Sequence, residues 1–366
     1  MIESVKLMVP GPTQLPPEVI DEMAQPMIYH RGKEFVDITL NAIDLLKKLF
    51  NTKRCDVLLI PSSGRGAMEA ALVNLFSHGD KLLSVSNGYF GEVFSKMAKA
   101  YGLDVASIEF NWEDVVDYST IEESLKNDGN IKAILFTHCE TSNAVENDLR
   151  AIGSLAKKYN KLLIVDAVSS FGCMPINVDE YGIDVAVTAS QKGLMCPAGM
   201  SVAAISPKAW DAIENAKLPK YYFDFRNMRD YIQKGQTPVS TPVSIVRALN
   251  ASLKLMNKEG FDRVFERHEK LAEYIREEAK KSGYVLYPDN QNVKRANSLS
   301  AFLLPPEIKA EILVSHIHSK YNTLFAKGLG DTASRILRIG HMGWFREEES
   351  IHALKVLKAA KNDFGF

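Results

Sequence analysis

The sequence predicts an α/β protein: a large domain with a mostly parallel sheet between helices, followed by a smaller α+β domain. Three observations lead there. Short, almost wholly apolar runs recur between residues 55 and 206, as expected of strands buried on both faces. Segments with helical spacing lie between those runs, the alternation of a sheet covered by helices. From about residue 245 the pattern changes to long helices with a few isolated apolar runs.

In chain order, the strand candidates are "DVLLIP", "KLLSVS", "IKAILFTH", "KLLIVDAV", "IDVAVTAS" and "MSVAAIS". The helical segments between them are "AMEAALVNLF", "FGEVFSKMAKAYG" and "LRAIGSLAKKYN". Further on, Phe261, Val264, Phe265, His268, Leu271, Ala272 and Ile275 recur at i, i+3, i+4 and i+7, one face of a long helix. "SLSAFLL", "SRILRIG" and a terminal helix around 351–357 complete the second domain. The expected division is 21–248 for the large domain and 249–366 for the small one.

Composition narrows the function classes. With 44 Lys and Arg against 45 Asp and Glu, the chain offers no strong field to nucleic acid or an anionic membrane, and neither is expected as a partner. The four cysteines, Cys55, Cys139, Cys173 and Cys196, form no CxxC or Cys/His cluster, so no metal site and a reducing, cytoplasmic setting are expected. The first residues lack a basic stretch followed by an apolar one, and no run reaches the length of a membrane span.

Ligands of open parallel sheets bind beyond the carboxyl ends of the strands, so the informative residues follow each apolar run. After "DVLLIP" comes Ser62-Ser63-Gly64-Arg65-Gly66, with a helix expected to open at Ala67. Free N–H groups at such a helix start suit a phosphate, although many glycine turns bind nothing. After "KLLSVS", Asn87-Gly88-Tyr89-Phe90-Gly91 puts two rings at the same edge, either to stack on a flat ligand or to pack a loop. His138, Glu140 and Thr141 follow the next run, Asp166 follows "KLLIV", and Lys192 follows "VAVTASQ". An Asp166–Lys192 ion pair is the plain reading of the last two. The sharper one gives both to a single ligand: pyridoxal phosphate needs a phosphate cradle, a stacking ring, a carboxylate for its pyridine nitrogen and a lysine amine.

At this point the chain resembles the class V aminotransferases of fold type I, and within them the alanine-glyoxylate and serine-pyruvate group. The resemblance runs from "VPGPTQLPPEV" through "SSGRGAMEAALVN", "SNGYFGEVF", "THCETSNAV", "LLIVDAVSSFG" and "SQKGLMCPAG" to "GQTPVSTP" and "RILRIGHMG". It implies that Lys192 holds the cofactor through a Schiff base and that Asp166 pairs with the pyridine nitrogen. Phe90 would stack on the ring, Val168 would pack its other face, and Thr141 would sit near the phenolic oxygen. Ser63, Gly64, Arg65 and Gln191 would hold the phosphate. Thr237 would reach the phosphate of a neighbouring subunit, which implies a homodimer with shared active sites. Arg338 would clamp the substrate α-carboxylate, and Gly11 would line the substrate pocket within an N-terminal segment, 1–20, that joins the site to the small domain. Two positions depart from the family pattern: Arg65 replaces a smaller residue, and Asn143-Ala144 replaces a glycine-containing turn.

The expected reaction is transamination between a small donor, alanine or serine, and glyoxylate or pyruvate. "HCETS" and "DAVSSFG" are also similar to the 2-aminoethylphosphonate:pyruvate transaminases, which stand as the alternative. A cysteine desulfurase-type lyase is disfavoured because 282–338 contains no cysteine. An NAD-dependent dehydrogenase is disfavoured because no GxGxxG follows the first strand. A binding protein that keeps the fold without the chemistry is disfavoured by the retention of both Asp166 and Lys192.

Overall fold

A computed structural model describes residues 5–366. Its large sheet has seven strands in the spatial order 56–60, 201–205, 185–189, 162–166, 133–137, 81–86 and 104–109. All neighbours are parallel except Ser201–Ile205, which runs antiparallel to both of its partners. The central strands are buried along their whole length, which is why they read as continuous apolar runs. Asp104–Glu109 was not among the sequence candidates. It is an edge strand whose residues are exposed or half-buried, with none fully buried, and carries no such run.

The helix after the first strand opens at Gly64, three residues before the expected start at Ala67. That shift puts Gly64, Arg65 and Gly66 in its first turn, whose N–H groups have no carbonyl four residues back within the helix. The next helix, Tyr89–Ala100, likewise opens in the turn that carries Phe90.

The second region holds an antiparallel sheet in the order 285–286, 299–303, 336–340 and 326–327. The helices Phe261–Lys281, Ala310–Tyr321 and Glu347–Phe364 supply much of its apolar core. The amphipathic helix read from Phe261 onward is present with its apolar residues inward. The position chosen for the domain boundary, 248/249, falls inside the helix Val243–Glu259, whose Leu249, Leu253 and Met256 pack in the larger core. Apolar spacing does not reveal which of two adjacent cores a helix serves.

Near the N-terminus, Lys6–Leu7 pairs in parallel with Thr323–Leu324, and Met8 is buried in the second core. The chain then crosses to Gly11 and Pro12, beside Lys192. Residues 1–4 of the expected joining segment lie outside the described residues. Among the described residues, no helix is long and apolar enough to cross a membrane.

Candidate active site

A cavity of about 350 Å³ lies at the carboxyl ends of the central strands. Ten of the twelve expected site residues line it: Gly11, Ser63, Gly64, Arg65, Phe90, Thr141, Asp166, Val168, Gln191 and Lys192. Apart from Gly11, they come from the ends of five strands of the large sheet or the turns just beyond them, so residues distant in sequence converge because those strands end at one edge.

Lys192 is half-buried, one side opening on the cavity while protein surrounds its amine. Its Nζ donates to the carbonyl of Pro10. Burial brings its pKa down to about 8, with Arg338 pushing the same way and Cys139 and Asp166 opposing. Asp166 is 4% exposed and accepts at Oδ1 from the Val168 N–H at 2.9 Å. Burial raises its pKa to about 6, against the pull of that N–H and of Lys192. The two side chains sense each other's charge without a hydrogen bond between them, which sets aside the plain ion pair.

Phe90 is held from behind. The buried carboxylate of Glu140 accepts from the N–H of Phe90 at 3.2 Å and of Gly91 at 2.6 Å, and from Ser142 Oγ at 3.1 Å. Thr141 Oγ1 lies 2.6 Å from Ser169 Oγ. Val168 packs so closely on Gly64 that a Cβ there would stand 2.7 Å from Val168 Cγ2. The Gly64 turn therefore stays open only because it lacks a side chain.

Gly11 has φ +97°, and a Cβ on it would meet Lys192 Cδ at 2.6 Å and Nζ at 2.8 Å. The positive φ favours glycine there, and a side chain would also displace the end of Lys192 from beside the expected substrate pocket. The departure at Asn143-Ala144 keeps a left-handed turn, with Ala144 at φ +63°. Asn143 fixes that turn by accepting from Val145 N–H at 3.1 Å and donating to the carbonyls of Asn87 and Trp112, each at 2.8 Å.

Two expected residues are not on the cavity wall. Arg338, 6% exposed, lines an adjoining groove and donates Nε and Nη2 to the Lys327 carbonyl and Nη1 to that of Thr141. Three of its five N–H donors are used, leaving one on each terminal nitrogen. No carboxylate pairs with it among the described residues, and burial lowers its pKa to about 10. Thr237 is buried in its own loop and donates to the Val239 carbonyl at 2.8 Å. Sequence reasoning did not single out Met68, Cys139, Ser169 or Ala198, which also line the cavity. All four lie inside the matched motifs, Cys139 between His138 and Glu140, but their side-chain types gave no reason to choose them.

An open helix start, an unpaired lysine and aspartate across one cavity, a ring at its wall and an acid-free arginine beside it define a site for a flat, anionic ligand. The class V aminotransferase family model matches residues 5–327, and the chain belongs to that family. Arg338 lies beyond the matched residues.

The chain is similar to the L-aspartate–glyoxylate aminotransferase of Paracoccus denitrificans, at 36% identity over 98% of this chain and 91% of that protein. It is 33% identical to the serine–glyoxylate aminotransferase of Methylorubrum extorquens over 95% of this chain and 89% of that protein. The crystal structure of an alanine–glyoxylate aminotransferase from Nostoc superposes with a TM-score of 0.93 at 27% identity, covering 98% of this chain and 96% of that one.

The family implies pyridoxal phosphate, and the residues present fit it. The buried Gln191 Oε1 has no hydrogen-bond partner. Asp166 and Lys192 line the same cavity without an ion pair between them, their hydrogen bonds going to backbone groups, and the start of the Gly64 helix lines the same space.

Proposed function

We propose that this aminotransferase moves an amino group from a small amino acid to glyoxylate, with Lys192 as the covalent anchor and proton carrier. The observation that carries the reading is the pair Asp166 and Lys192, both facing one cavity and neither bonded to the other. Glyoxylate is favoured over pyruvate because it is the acceptor in the names of relatives that share this chain's length. Those relatives differ in donor, so alanine and serine stand beside aspartate as candidates.

When bound, pyridoxal phosphate supplies an electron-withdrawing ring that lets the donor release its Cα proton. The first-turn N–H groups of Gly64 and Arg65, with Ser63 and Gln191, would hold the phosphate, and Arg65 would add a charge. Phe90 and Val168 would pack the two faces of the ring, and Thr141 would serve its phenolic oxygen. Asp166, in its ionised form, would keep a proton on the pyridine nitrogen. Arg338 directs its two remaining N–H groups at the donor carboxylate, a charge-assisted pair that orients Cα. With the cofactor bound, the Lys192 amine would be the base placed to take the donor's Cα proton and to give it back later in the reaction. Its lowered pKa suits this work, because a lysine near 8 is partly neutral at neutral pH.

Thr237 then belongs to a neighbouring copy's site, and the protein acts as a homodimer. Met27 and Tyr221 are 73% and 95% exposed, and Arg31 bonds Gln236 at 3.2 Å, which sets the 27–31 segment beside the Thr237 loop.

The test is a donor panel of alanine, serine, aspartate and 2-aminoethylphosphonate, each with glyoxylate and with pyruvate. One of the amino acids with glyoxylate is expected to give the highest kcat/KM, and Lys192→Ala should lower it by about 10³-fold or more. Turnover of the phosphonate alone would overturn the donor reading.

A further inference from the structure

The tripeptide Glu140-Thr141-Ser142 touches three parts of the site at once. Glu140 is fully buried and has no cation at hydrogen-bonding distance; its partners are the Phe90 and Gly91 N–H groups and Ser142 Oγ. The two N–H groups open the helix Tyr89–Ala100, so the carboxylate sits at that helix's positive end. Ser142 Oγ accepts in turn from the Tyr89 N–H at 3.1 Å. Three consecutive amides of the ring-bearing turn are thus held by two adjacent side chains.

Gly88 leaves room for this arrangement, since a Cβ there would lie 2.6 Å from Glu140 Oε2 and 2.7 Å from Ser142 Oγ. The glycine before Tyr89-Phe90 is therefore explained by the glutamate. On the other side of the same tripeptide, the carbonyl of Thr141 accepts from Arg338 Nη1 at 2.7 Å, and its hydroxyl meets Ser169 at 2.6 Å.

We infer that Glu140 is a positioning residue that sets the ring of Phe90 and, through the Thr141 peptide, the guanidinium of Arg338. Cofactor stacking and carboxylate recognition then share one support, anchored by a carboxylate that touches neither ligand. The inference deepens the transaminase reading and rests on it for the ligands; the support itself is a property of the cofactor-free protein.

The experiment measures amide hydrogen exchange in the cofactor-free wild type, Glu140→Ala and Glu140→Gln, then the dissociation constant of pyridoxal phosphate and the donor KM and kcat. Loss of a buried acceptor that takes three hydrogen bonds should speed exchange at Phe90 and Gly91 by about tenfold or more, and weaken cofactor binding by a similar factor. The strand Leu162–Asp166 should exchange as before. Donor KM should rise more than kcat falls, because Arg338 is moved and Lys192 is not. Glu140→Gln keeps one acceptor oxygen and is expected to fall between the other two, and it serves alone if the alanine variant does not fold. Wild-type exchange at Phe90 and Gly91 in the glutamine variant overturns the inference, as does wild-type cofactor affinity. If the wild type itself binds no cofactor, the transaminase reading fails and the exchange arm still decides what Glu140 holds.

Discussion

Lys192 and Asp166 owe their shifted titrations to burial, and the shifts run in opposite directions with testable signs. The native Lys192 amine binds its proton less tightly than the unfolded chain does, with a pKa of about 8 against 10.5. Its charge therefore costs stability below about 8, and that cost is relieved as pH rises from 8 towards 10.5. Asp166 is raised from 3.8 to about 6, so its contribution is most favourable below 3.8 and is lost as pH rises through 6. For chemistry the lysine matters more, because only the neutral amine is a nucleophile. Capture of pyridoxal phosphate by the cofactor-free protein should accelerate from pH 7 to 9 and then level off. A rate still climbing above pH 10 would mean an unshifted amine. His268 has no such role: burial holds it neutral, its pKa lowered to about 3, with Nδ1 2.7 Å from the Val264 carbonyl and Nε2 accepting from the Gly343 N–H. Helical spacing marked it as a core residue, and it is one.

Secondary-structure elements were most legible where burial is two-sided. The central strands of the large sheet announce themselves because each residue meets a helix layer, whereas Asp104–Glu109, at the edge, has no fully buried residue. Strand direction was not legible: Ser201–Ile205 is as apolar as its parallel neighbours yet antiparallel to both. Turn chemistry was half legible. The glycines at 64 and 88 were visible in the sequence, but their reasons, Val168 and Glu140, appear only once the strands are side by side. At Asn143-Ala144 a side-chain amide now fixes a left-handed turn where the family pattern uses glycine. Replacing Asn143 with Ala removes three hydrogen bonds, two of them fully buried, which should destabilise the protein by about 2–3 kcal/mol. Chemical denaturation measures this, and a loss under about 0.5 kcal/mol would show that the turn holds without the amide.

At the scale of the whole molecule, the site is a meeting of parts. The large sheet brings Asp166, Lys192 and the Gly64 helix to one edge, the N-terminal segment lays Gly11 on the lysine, and the second sheet sets Arg338 against the Thr141 carbonyl beside the cavity. Ten residues of the cavity wall were readable because their types suggested chemistry at a strand end or in a matched motif; Met68 and Ala198 lie within the same motifs but look there like ordinary packing residues. Thr237 lies off the cavity, bonded to the Val239 carbonyl, and its proposed role depends on a second copy of the chain. Sedimentation at micromolar concentration should return a dimer, and a monomer with full activity would remove Thr237 from the mechanism. The account's central claim, that Lys192 anchors the cofactor, is tested most directly by borohydride reduction of the pyridoxal phosphate-loaded protein followed by peptide mapping. A single modified peptide carrying the cofactor on Lys192, and none in Lys192→Ala, is the predicted result; cofactor fixed to another lysine, or to none, would contradict it.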